Sequence, residues 1–290
     1  MITLSLTRLI LLLLLGLGAG WLGAWIGIGG GVVLVPALVL GFRIDMKAAI
    51  ATSLVAVIVT STAAGSVYVG RGLTNTRLAI ALEIATTLGG FGGSLLALAV
   101  PSSVLAGVFA TMMALTAVLM FRRSHAAIHR PVDPTVGEEQ AGEAMGRLAG
   151  TYFDERRGGV VPYRARRFWA GSALALLAGA VSGLLGVGGG FLKVPAMNLA
   201  MDVPIKVAVA TSNFMIGVTA AASVFTYFGR GWVDPLLTAP VALGVLAGAL
   251  VGTVHSGRTE PGRLKWVLAS VLVLVSVQMG LRALGISLGG

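Results

Sequence analysis

The sequence predicts an all-α polytopic membrane protein made of two homologous, inverted repeats, each with a Gly-broken helix pair and three full helices. Three observations lead to this fold class: an apolar composition, long uncharged runs and an internal repeat. Of the 290 residues, 56% are hydrophobic and only 11% are charged. An ordinary soluble domain has about 25% charged residues, so a soluble enzyme and a disordered chain are both excluded.

The composition also excludes several kinds of site and partner. The chain has no cysteine and only three histidines, so we expect no disulfide framework and no metal site. A net charge of +10 would suggest nucleic acid as the partner of a soluble protein. Here nine arginines lie in one polar stretch, which is typical of a loop that orients a membrane protein. We therefore expect a lipid bilayer around the chain, no nucleic acid and no cofactor.

Eight apolar runs follow one another along the chain, and they predict helices rather than the alternating strands of a β-barrel. They cover residues 9–42, 48–70, 78–100, 104–121, 168–201, 207–229, 236–254 and 264–281. The polar stretch at 122–167 holds nine Arg and six Asp or Glu residues. We expect a first transmembrane repeat at 1–121, a charged cytoplasmic linker at 122–167, partly helical around 138–149, and a second transmembrane repeat at 168–290.

The internal repeat relates residues 27–72 to residues 186–231 by a shift of 159 positions without a gap. Twenty of the 46 aligned pairs are identical, and most of these identities fall on Gly, Pro, Thr, Ser, Tyr and Arg. GIGGGVVLVPA at 27–37 matches GVGGGFLKVPA at 186–196, and each is followed by Ala-Thr-Ser and by Tyr-x-Gly-Arg-Gly. Apolar helices would not match by chance at these residue types, so the pattern indicates a tandem duplication.

The first run of each repeat is expected to be broken inside the membrane. The runs at 9–42 and 168–201 each have 34 residues, whereas one crossing needs about 20. Each contains a triple glycine followed five residues later by proline. Glycine in a helix costs about 1 kcal/mol relative to alanine, and proline also disfavours a regular helix. We therefore expect two short segments that meet at a Gly-rich turn.

Each repeat then has five segments, and an odd number inverts the second repeat relative to the first. With the linker in the cytoplasm, this arrangement places 15 Lys and Arg residues inside and 5 outside. A parallel arrangement of four plus four helices gives 14 and 6, so charge alone does not separate the two. The lengths of the broken runs favour the inverted arrangement.

The two breaks and the helices after them carry the candidate substrate site. A helix that starts inside the bilayer has unpaired N–H groups and a positive dipole end, which an anion can satisfy. The predicted substrate-binding residues are Gly29, Gly30, Gly31, Thr52, Ser53, Gly188, Gly189, Gly190, Lys193, Thr211, Ser212 and Asn213. Close helix packing is the alternative for glycine. For Ser and Thr, including Thr60 and Thr219 on the same helix faces, the alternative is bonding to their own backbone.

Four charged residues at or inside the predicted spans have further candidate roles. Lys193 and Glu83 are the basic and acidic residues well inside apolar runs, where a charge indicates function by default. Lys193 is expected to attract the anion, with snorkelling to an interface as the alternative. Glu83 is a candidate for proton coupling or for pairing with Arg77. Arg71 and Arg230, in the Tyr-x-Gly-Arg-Gly turns, are either interface anchors or a gate.

The repeated Gly-rich element, with its Ala-Thr-Ser and Tyr-x-Gly-Arg-Gly, resembles the sulfite exporter TauE/SafE family. The resemblance covers both halves but not residues 122–167. It implies an inner-membrane permease for small anions, often sulfur-containing, such as sulfite, sulfoacetate and related organosulfonates. It also implies that the Gly-rich segments and the Thr-Ser pairs line the substrate path.

These observations together predict a secondary transporter that exports a small anion by alternating access, since no nucleotide-binding loop is present. No enzyme is expected, because no paired carboxylates, His cluster or nucleophile–base set lies in the spans. A permease for an organic acid or a cation is one alternative. A membrane scaffold or assembly factor that docks through the linker is another, and a homodimer is left open.

Overall fold

The computed structural model describes residues 5–26, 29–122, 148–154, 158–255 and 261–283. The helices before the linker are α1 (Leu6–Ile26), α2 (Gly31–Pro36), α3 (Met46–Gly70), α4 (Thr76–Ala99) and α5 (Ser102–Arg122). After it come α6 (Phe168–Leu185), α7 (Gly190–Pro195), α8 (Ile205–Phe228), α9 (Pro235–His255) and α10 (Pro261–Ala283). Two strands, β1 (Ala149–Asp154) and β2 (Gly159–Arg164), lie between α5 and α6.

Six of these helices are long and apolar enough to cross a membrane: α1, α3, α4, α6, α8 and α9. Large apolar side chains cover their outer surfaces, as Ile80, Ile84 and Leu88 do at four-residue intervals along α4. This pattern suits a lipid-facing helix surface and confirms the prediction of a helical, multi-pass membrane protein. α3 and α8 are the most enclosed of the six, so they form the centre of the bundle.

Both 34-residue runs are interrupted at the predicted glycines. The prediction of two short segments was wrong for the part before each break, because α1 has 21 residues and α6 has 18, and only the part after each break is short. Gly29 and Gly30 have φ values of 90° and 71°, and Gly188 and Gly189 have values of 76° and 68°. Residues with a side chain rarely adopt this left-handed backbone, which explains why glycine stands there. The helix resumes at Gly31 and at Gly190, and each short helix passes after its proline into a five-residue π-helical turn.

The chain reverses direction at the first break. Gly30 packs against α1 so closely that a Cβ on it would lie 2.9 Å from the carbonyl oxygen of Ala19. At the other end of the returning segment, Arg8 donates a hydrogen bond of 3.1 Å to the carbonyl oxygen of Phe42. The first broken run is therefore a helical hairpin that returns towards the side on which it began.

The second break has the same geometry. A Cβ on Gly189 would lie 2.8 Å from the carbonyl oxygen of Ala178 in α6. Gly171, near the start of α6, packs directly against the side chain of Met201, which follows the π-helical turn. This contact shows that the second hairpin also returns to its starting side, and its 34 residues are fewer than two full crossings would need.

Helices of the two halves interlock through small residues. α1 packs on α9 and α4 packs on α6. A Cβ on Gly20 would collide with the backbone of Val245, and one on Gly93 would collide with the backbone of Ala180. Gly20 and Gly93, which lie outside the two breaks, therefore allow close packing between helices.

Side-chain contacts give the relative directions of the helices. From one end of α4 to the other, the contacts with α8 pair Asn75 with Thr211, Glu83 with Thr219, and Gly90 with Ser223. Both residue numbers rise together, so α4 and α8 are parallel. Between α5 and α10, Gly107 meets Ala283 and Ala110 meets Ser276, so these two helices are antiparallel.

The described part of the linker is a β-hairpin that packs on the bundle. β1 and β2 are antiparallel, with Ala149 opposite Arg164 and Asp154 opposite Gly159. Tyr163 is buried against the starts of α4 and α8, so this part of the linker is not simply solvated as the sequence suggested. Residues 138–147 of the expected helix lie outside the described residues, and Ala149, at its end, begins a strand instead.

Candidate functional site

The Thr-Ser pairs of the two repeats lie at the centre of the bundle. Thr52 and Thr211 are each the seventh residue of their helix, about 10 Å from its start. They and the residues that follow them, Ser53, Ser212 and Asn213, are fully buried. Hydroxyl and amide groups placed so deep need hydrogen-bond partners, which differ between the two repeats.

In the first repeat, Ser53 joins the two breaks. Its Oγ donates a 2.6 Å hydrogen bond to the carbonyl oxygen of Gly186, at the end of α6. A Cβ on Gly31 would lie 2.8 Å from that Oγ and 2.9 Å from Cα of Val187. The first break, the serine of α3 and the start of the second break therefore meet at one point, with no space for a side chain at Gly31.

In the second repeat, the equivalent polar groups are not fully engaged. Ser212 Oγ and Asn213 Oδ1 are buried without a hydrogen-bond partner, and so is Ser182 Oγ on α6, beside Gly189. The amide nitrogen of Asn213 donates to the carbonyl oxygen of Val209 at 3.1 Å and carries a second N–H. Buried polar groups of this kind are costly unless a partner binds them, so they suit a polar solute.

The two threonines of the pairs are tied to neighbouring helices. Thr52 Oγ1 lies 3.3 Å from Oγ1 of Thr238 on α9. Thr211 Oγ1 accepts a 3.1 Å hydrogen bond from the backbone N–H of Asn75 at the start of α4. Asn75 also donates through its side chain to the Tyr163 hydroxyl at 3.0 Å. A chain of hydrogen bonds thus links the linker hairpin to Thr211.

Lys193 lies at the second break with only 1% of its side chain exposed. Its Nζ donates a 2.7 Å hydrogen bond to Thr219 Oγ1, and Thr219 Oγ1 donates to Glu83 Oε1 at 2.8 Å. Lys193 therefore does not snorkel to an interface, and the side chain of Glu83 points towards Thr219 and Lys193 instead of Arg77. The structure brings together two charged candidates that are 110 residues apart in the chain.

Glu83 has a different environment on each oxygen. Oε1 accepts hydrogen bonds from Thr219 and, at 3.2 Å, from Thr87, whereas Oε2 is buried without a partner. The carboxyl group borders a groove of about 540 Å³ between α4 and α8. Ile80, Ile84, Leu88, Phe214 and Val218 make the rest of this groove apolar. The carboxyl group of Glu83 therefore lies in largely apolar surroundings, with Lys193 as its charged neighbour.

Thr60 and Thr219 occupy equivalent positions but have different partners. Thr60 Oγ1 donates to the carbonyl oxygen of Ala56, four residues earlier in its own helix, at 2.9 Å. For Thr60 the bonding to its own backbone is therefore confirmed. Thr219 differs because two charged residues lie beside it. The first repeat has Leu34 at the position equivalent to Lys193, and α9 has Ala242 at the position equivalent to Glu83.

Arg71 and Arg230 lie apart from this site. Both are exposed residues at the C-terminal ends of α3 and α8, about 27 Å along the helix from the Thr-Ser pairs. The following Gly72 and Gly231 have φ values of 66° and 72° and close each helix in the manner of a C-cap. This is the geometry expected of an anchor at the end of a span.

Sequence reasoning missed Asn75, Thr238 and Ser182, which contact or adjoin predicted site residues. Each is a single polar residue in an apolar helix or at its start, and only packing between distant helices shows its partner. Within the described residues, no group of three or more His, Asp or Glu side chains could hold a metal ion.

Comparisons with known proteins agree with this architecture. The model of the sulfite exporter TauE/SafE family matches residues 12–279. "Probable membrane transporter protein YunE" of Bacillus subtilis (strain 168) is 29% identical over 93% of this chain and 96% of its own length. A "Probable membrane transporter protein" of Xylella fastidiosa (strain 9a5c) is 27% identical over 91% of this chain and 90% of its own. No solved structure matches the chain.

The family match includes both broken helices, the Thr-Ser pairs, Glu83 and Lys193. The relatives align over nearly their full length and are named as membrane transporters, not as enzymes. Together with six helices of membrane-spanning length, this makes the chain a multi-pass membrane transporter that belongs to the sulfite exporter TauE/SafE family.

Proposed function

We propose that this protein is a secondary transporter, working as an exporter, for small anions such as sulfite, sulfoacetate or related organosulfonates. The anion binds at the Gly-broken helices near the middle of the membrane. The observation that carries the proposal is Lys193, a buried ammonium three residues after the second triple glycine. A charge in the membrane interior costs several kcal/mol unless it is paired or has a function, and an anion is the solute that it attracts.

The second break supplies the binding groups in this conformation. Gly188, Gly189 and Gly190 allow close approach to the backbone, and Ser212 and Asn213 have buried groups to offer. We place the small solute among these groups, as broken helices bind solutes in other transporters. Oxygen atoms of a sulfonate or sulfite would accept hydrogen bonds from the hydroxyl and amide donors.

The first break is closed in this conformation, because Ser53 and Gly31 are packed against the end of α6. We place the binding role of Gly29, Gly30, Gly31, Thr52, Ser53 and Thr211 in the opposite conformation. The two repeats exchange geometries there, so Ser53 is freed and Ser212 is engaged. Alternating access between equivalent halves provides a physical reason for two copies of the element.

An inverted arrangement of the repeats belongs to this proposal. It predicts that α4 and α8 are parallel and that α5 and α10 are antiparallel, and the contacts between these helices support it. In a four-plus-four parallel arrangement, α4 and α8 would instead be antiparallel, and α5 and α10 would be parallel. We further propose the inner membrane as the location, with the linker in the cytoplasm, and a homodimer as the assembly.

Anion flux in proteoliposomes tests the proposed function. The purified protein is expected to move sulfite or sulfoacetate, and Lys193→Met and Ser212→Ala are each expected to lower the flux at least tenfold. Lys206→Ala is the matched control, since Lys206 is an exposed lysine at the start of α8. Flux of only organic acids or cations would favour the alternative permease, and unchanged flux in both variants would show that the site is wrong.

The second alternative, a scaffold that docks through the linker, is tested by deleting residues 123–147. A transporter is expected to keep its anion flux without this segment. Loss of a bound partner complex from the purified protein, with no anion flux in the intact chain, would favour the scaffold.

A further inference from the structure

We propose that Glu83, Thr219 and Lys193 form a charge switch that couples anion binding to the uptake of one proton. In the switch, Glu83 neutralises Lys193 when no anion is bound, and a proton on Glu83 releases Lys193 for the anion. This inference rests on the proposed function, because it describes how the same site is controlled.

The geometry of Thr219 is that of a bridge between the two charges. A hydroxyl group can accept from one donor and give its single proton to one acceptor. Thr219 Oγ1 accepts from Lys193 Nζ at 2.7 Å and faces Glu83 Oε1 at 2.8 Å. The ammonium and the carboxylate are thereby held at a fixed separation, and each compensates the other's charge in the membrane interior.

A second acceptor lies within reach of the same hydroxyl. The carbonyl oxygen of Met215, four residues earlier in α8, is 3.2 Å from Thr219 Oγ1. Once Glu83 is protonated it attracts the hydroxyl less strongly, and Thr219 can turn to this carbonyl as Thr60 does to Ala56. Thr219 therefore has two hydrogen-bond states, one for each protonation state of Glu83.

Electrostatics links the proton to the anion. An anion held by Lys193 would place a second negative charge beside the Glu83 carboxylate, and like charges repel strongly in low-dielectric surroundings. The site avoids this if one proton from the aqueous phase joins the carboxylate, whose Oε2 has no hydrogen-bond partner. No covalent bond of the solute changes, and the same proton leaves Glu83 after the anion has left.

Few other titratable groups lie near the switch. α4 packs against α6 and α8, and α6 has no charged residue. The remaining candidates are Lys206 at the exposed start of α8, Tyr227, whose hydroxyl donates to Gly183, and Tyr163, which binds Asn75 eight residues before Glu83. Lys193 is therefore the charged group that faces Glu83 among the described residues.

The switch exists once in the chain. The first repeat has Leu34 in place of Lys193 and Thr60 in place of Thr219, and α9 has Ala242 in place of Glu83. One carboxyl group per chain predicts one proton per anion.

The test measures two fluxes in the same proteoliposomes. The first is exchange of labelled sulfoacetate for unlabelled sulfoacetate at equal pH. The second is net accumulation driven by a pH gradient of about one unit, with the membrane potential clamped at zero. One proton per anion at zero membrane potential predicts about a tenfold accumulation on the alkaline side, so net export towards an acidic exterior is driven by the anion's own concentration gradient. Glu83→Gln is expected to keep exchange and to lose this accumulation.

Thr219 variants separate the bridge from the carboxyl group itself. Thr219→Val is expected to reduce pH-driven accumulation at least threefold more than it reduces exchange, and Thr219→Ser is expected to restore it. Thr60→Val is the matched control, because Thr60 bonds only its own helix backbone. If Glu83→Gln does not fold, the Thr219 and Thr60 variants still test whether the bridge is needed for pH-driven accumulation.

The possible outcomes distinguish this proposal from the proposed function. Anion exchange at equal pH without accumulation under the pH gradient, in the unchanged protein, would overturn the switch and leave the anion transporter intact. Accumulation by Glu83→Gln equal to that of the unchanged protein, or equal behaviour of Thr219→Val and Thr60→Val, would also overturn it. Absence of any anion exchange would remove the proposed function and the switch together.

Discussion

Two threonines in equivalent positions show how single residues make the two repeats different. Thr60 bonds its own helix, whereas Thr219 lies between an ammonium and a carboxylate. The difference comes from Lys193 and Glu83, which have apolar counterparts. The duplicated elements thus keep the same backbone plan, while two charged residues make the second break electrostatically different from the first.

Sequence reasoning identified Lys193 and Glu83 separately, since a charge inside an apolar run is visible in one sequence. It could not pair them. They lie 110 residues apart on helices whose mutual packing depends on small residues such as Gly90, against which Thr219 packs. The partners Asn75 and Thr238 were missed for the same reason, because their roles depend on contacts between distant helices.

Gly31 tests the closeness of the two breaks. Gly31→Ala would place a Cβ against the carbonyl oxygen of Gly186 and Ser53 Oγ, and overpacking of this kind costs about 1–3 kcal/mol. We expect a lower thermal unfolding temperature for this variant in detergent. Gly18→Ala is the control, because a Cβ on Gly18 meets nothing within 4 Å and alanine favours a helix. Equal stability of the two variants would contradict the observed packing.

At the scale of elements, the broken helices were predictable and the linker hairpin was not. A triple glycine followed by proline is a local signal that acts through the backbone, and both breaks occur where it stands. The strands β1 and β2 have only six residues each and lie within a stretch rich in charge. They are stabilised by packing of Tyr163 on the bundle, which local sequence does not reveal.

The Tyr163 hydroxyl gives the hairpin a predictable response to pH. Burial raises the pKa of this phenol above its ordinary value of 10.0, and the hydrogen bond from Asn75 only partly opposes the effect. Because the pKa of Tyr163 is higher in the folded state, the stabilisation that the neutral phenol gives to the docked hairpin is complete below pH 10. It is lost as the pH rises through the raised pKa.

Ultraviolet titration at alkaline pH measures this effect. The difference in phenolate absorbance between the unchanged protein and Tyr163→Phe is expected to have its midpoint above pH 10. Thermal stability of the unchanged protein should fall through the same range more steeply than that of the variant. A midpoint at or below pH 10 would show that the hairpin does not bury Tyr163.

In the whole molecule, the proposed inverted repeats would account for the packing of helices of one half against those of the other. α1 lies on α9 and α4 lies on α6, and these two contacts are equivalent if the halves exchange places. Charge in the loops could not predict this, because the two topologies differ by only one basic residue. The lengths of the broken runs are the sequence signal on which the proposed inversion rests.

The inverted topology predicts that Arg71 and Arg230 lie on opposite sides of the membrane, although they end equivalent helices. The chain has no cysteine, so single cysteines at these two positions can be labelled with a membrane-impermeant reagent in intact vesicles. We expect one position to react from outside and the other only after permeabilisation. Labelling of both from the same side would favour the parallel arrangement.

The proposed binding of a small anion at the buried Lys193 of the second break can be measured at equilibrium. Titration calorimetry on the purified protein should show saturable binding of sulfite or sulfoacetate. We expect Lys193→Met to weaken the affinity at least tenfold and Lys206→Ala to leave it unchanged. Equal affinity of Lys193→Met and the unchanged protein for these anions would contradict it.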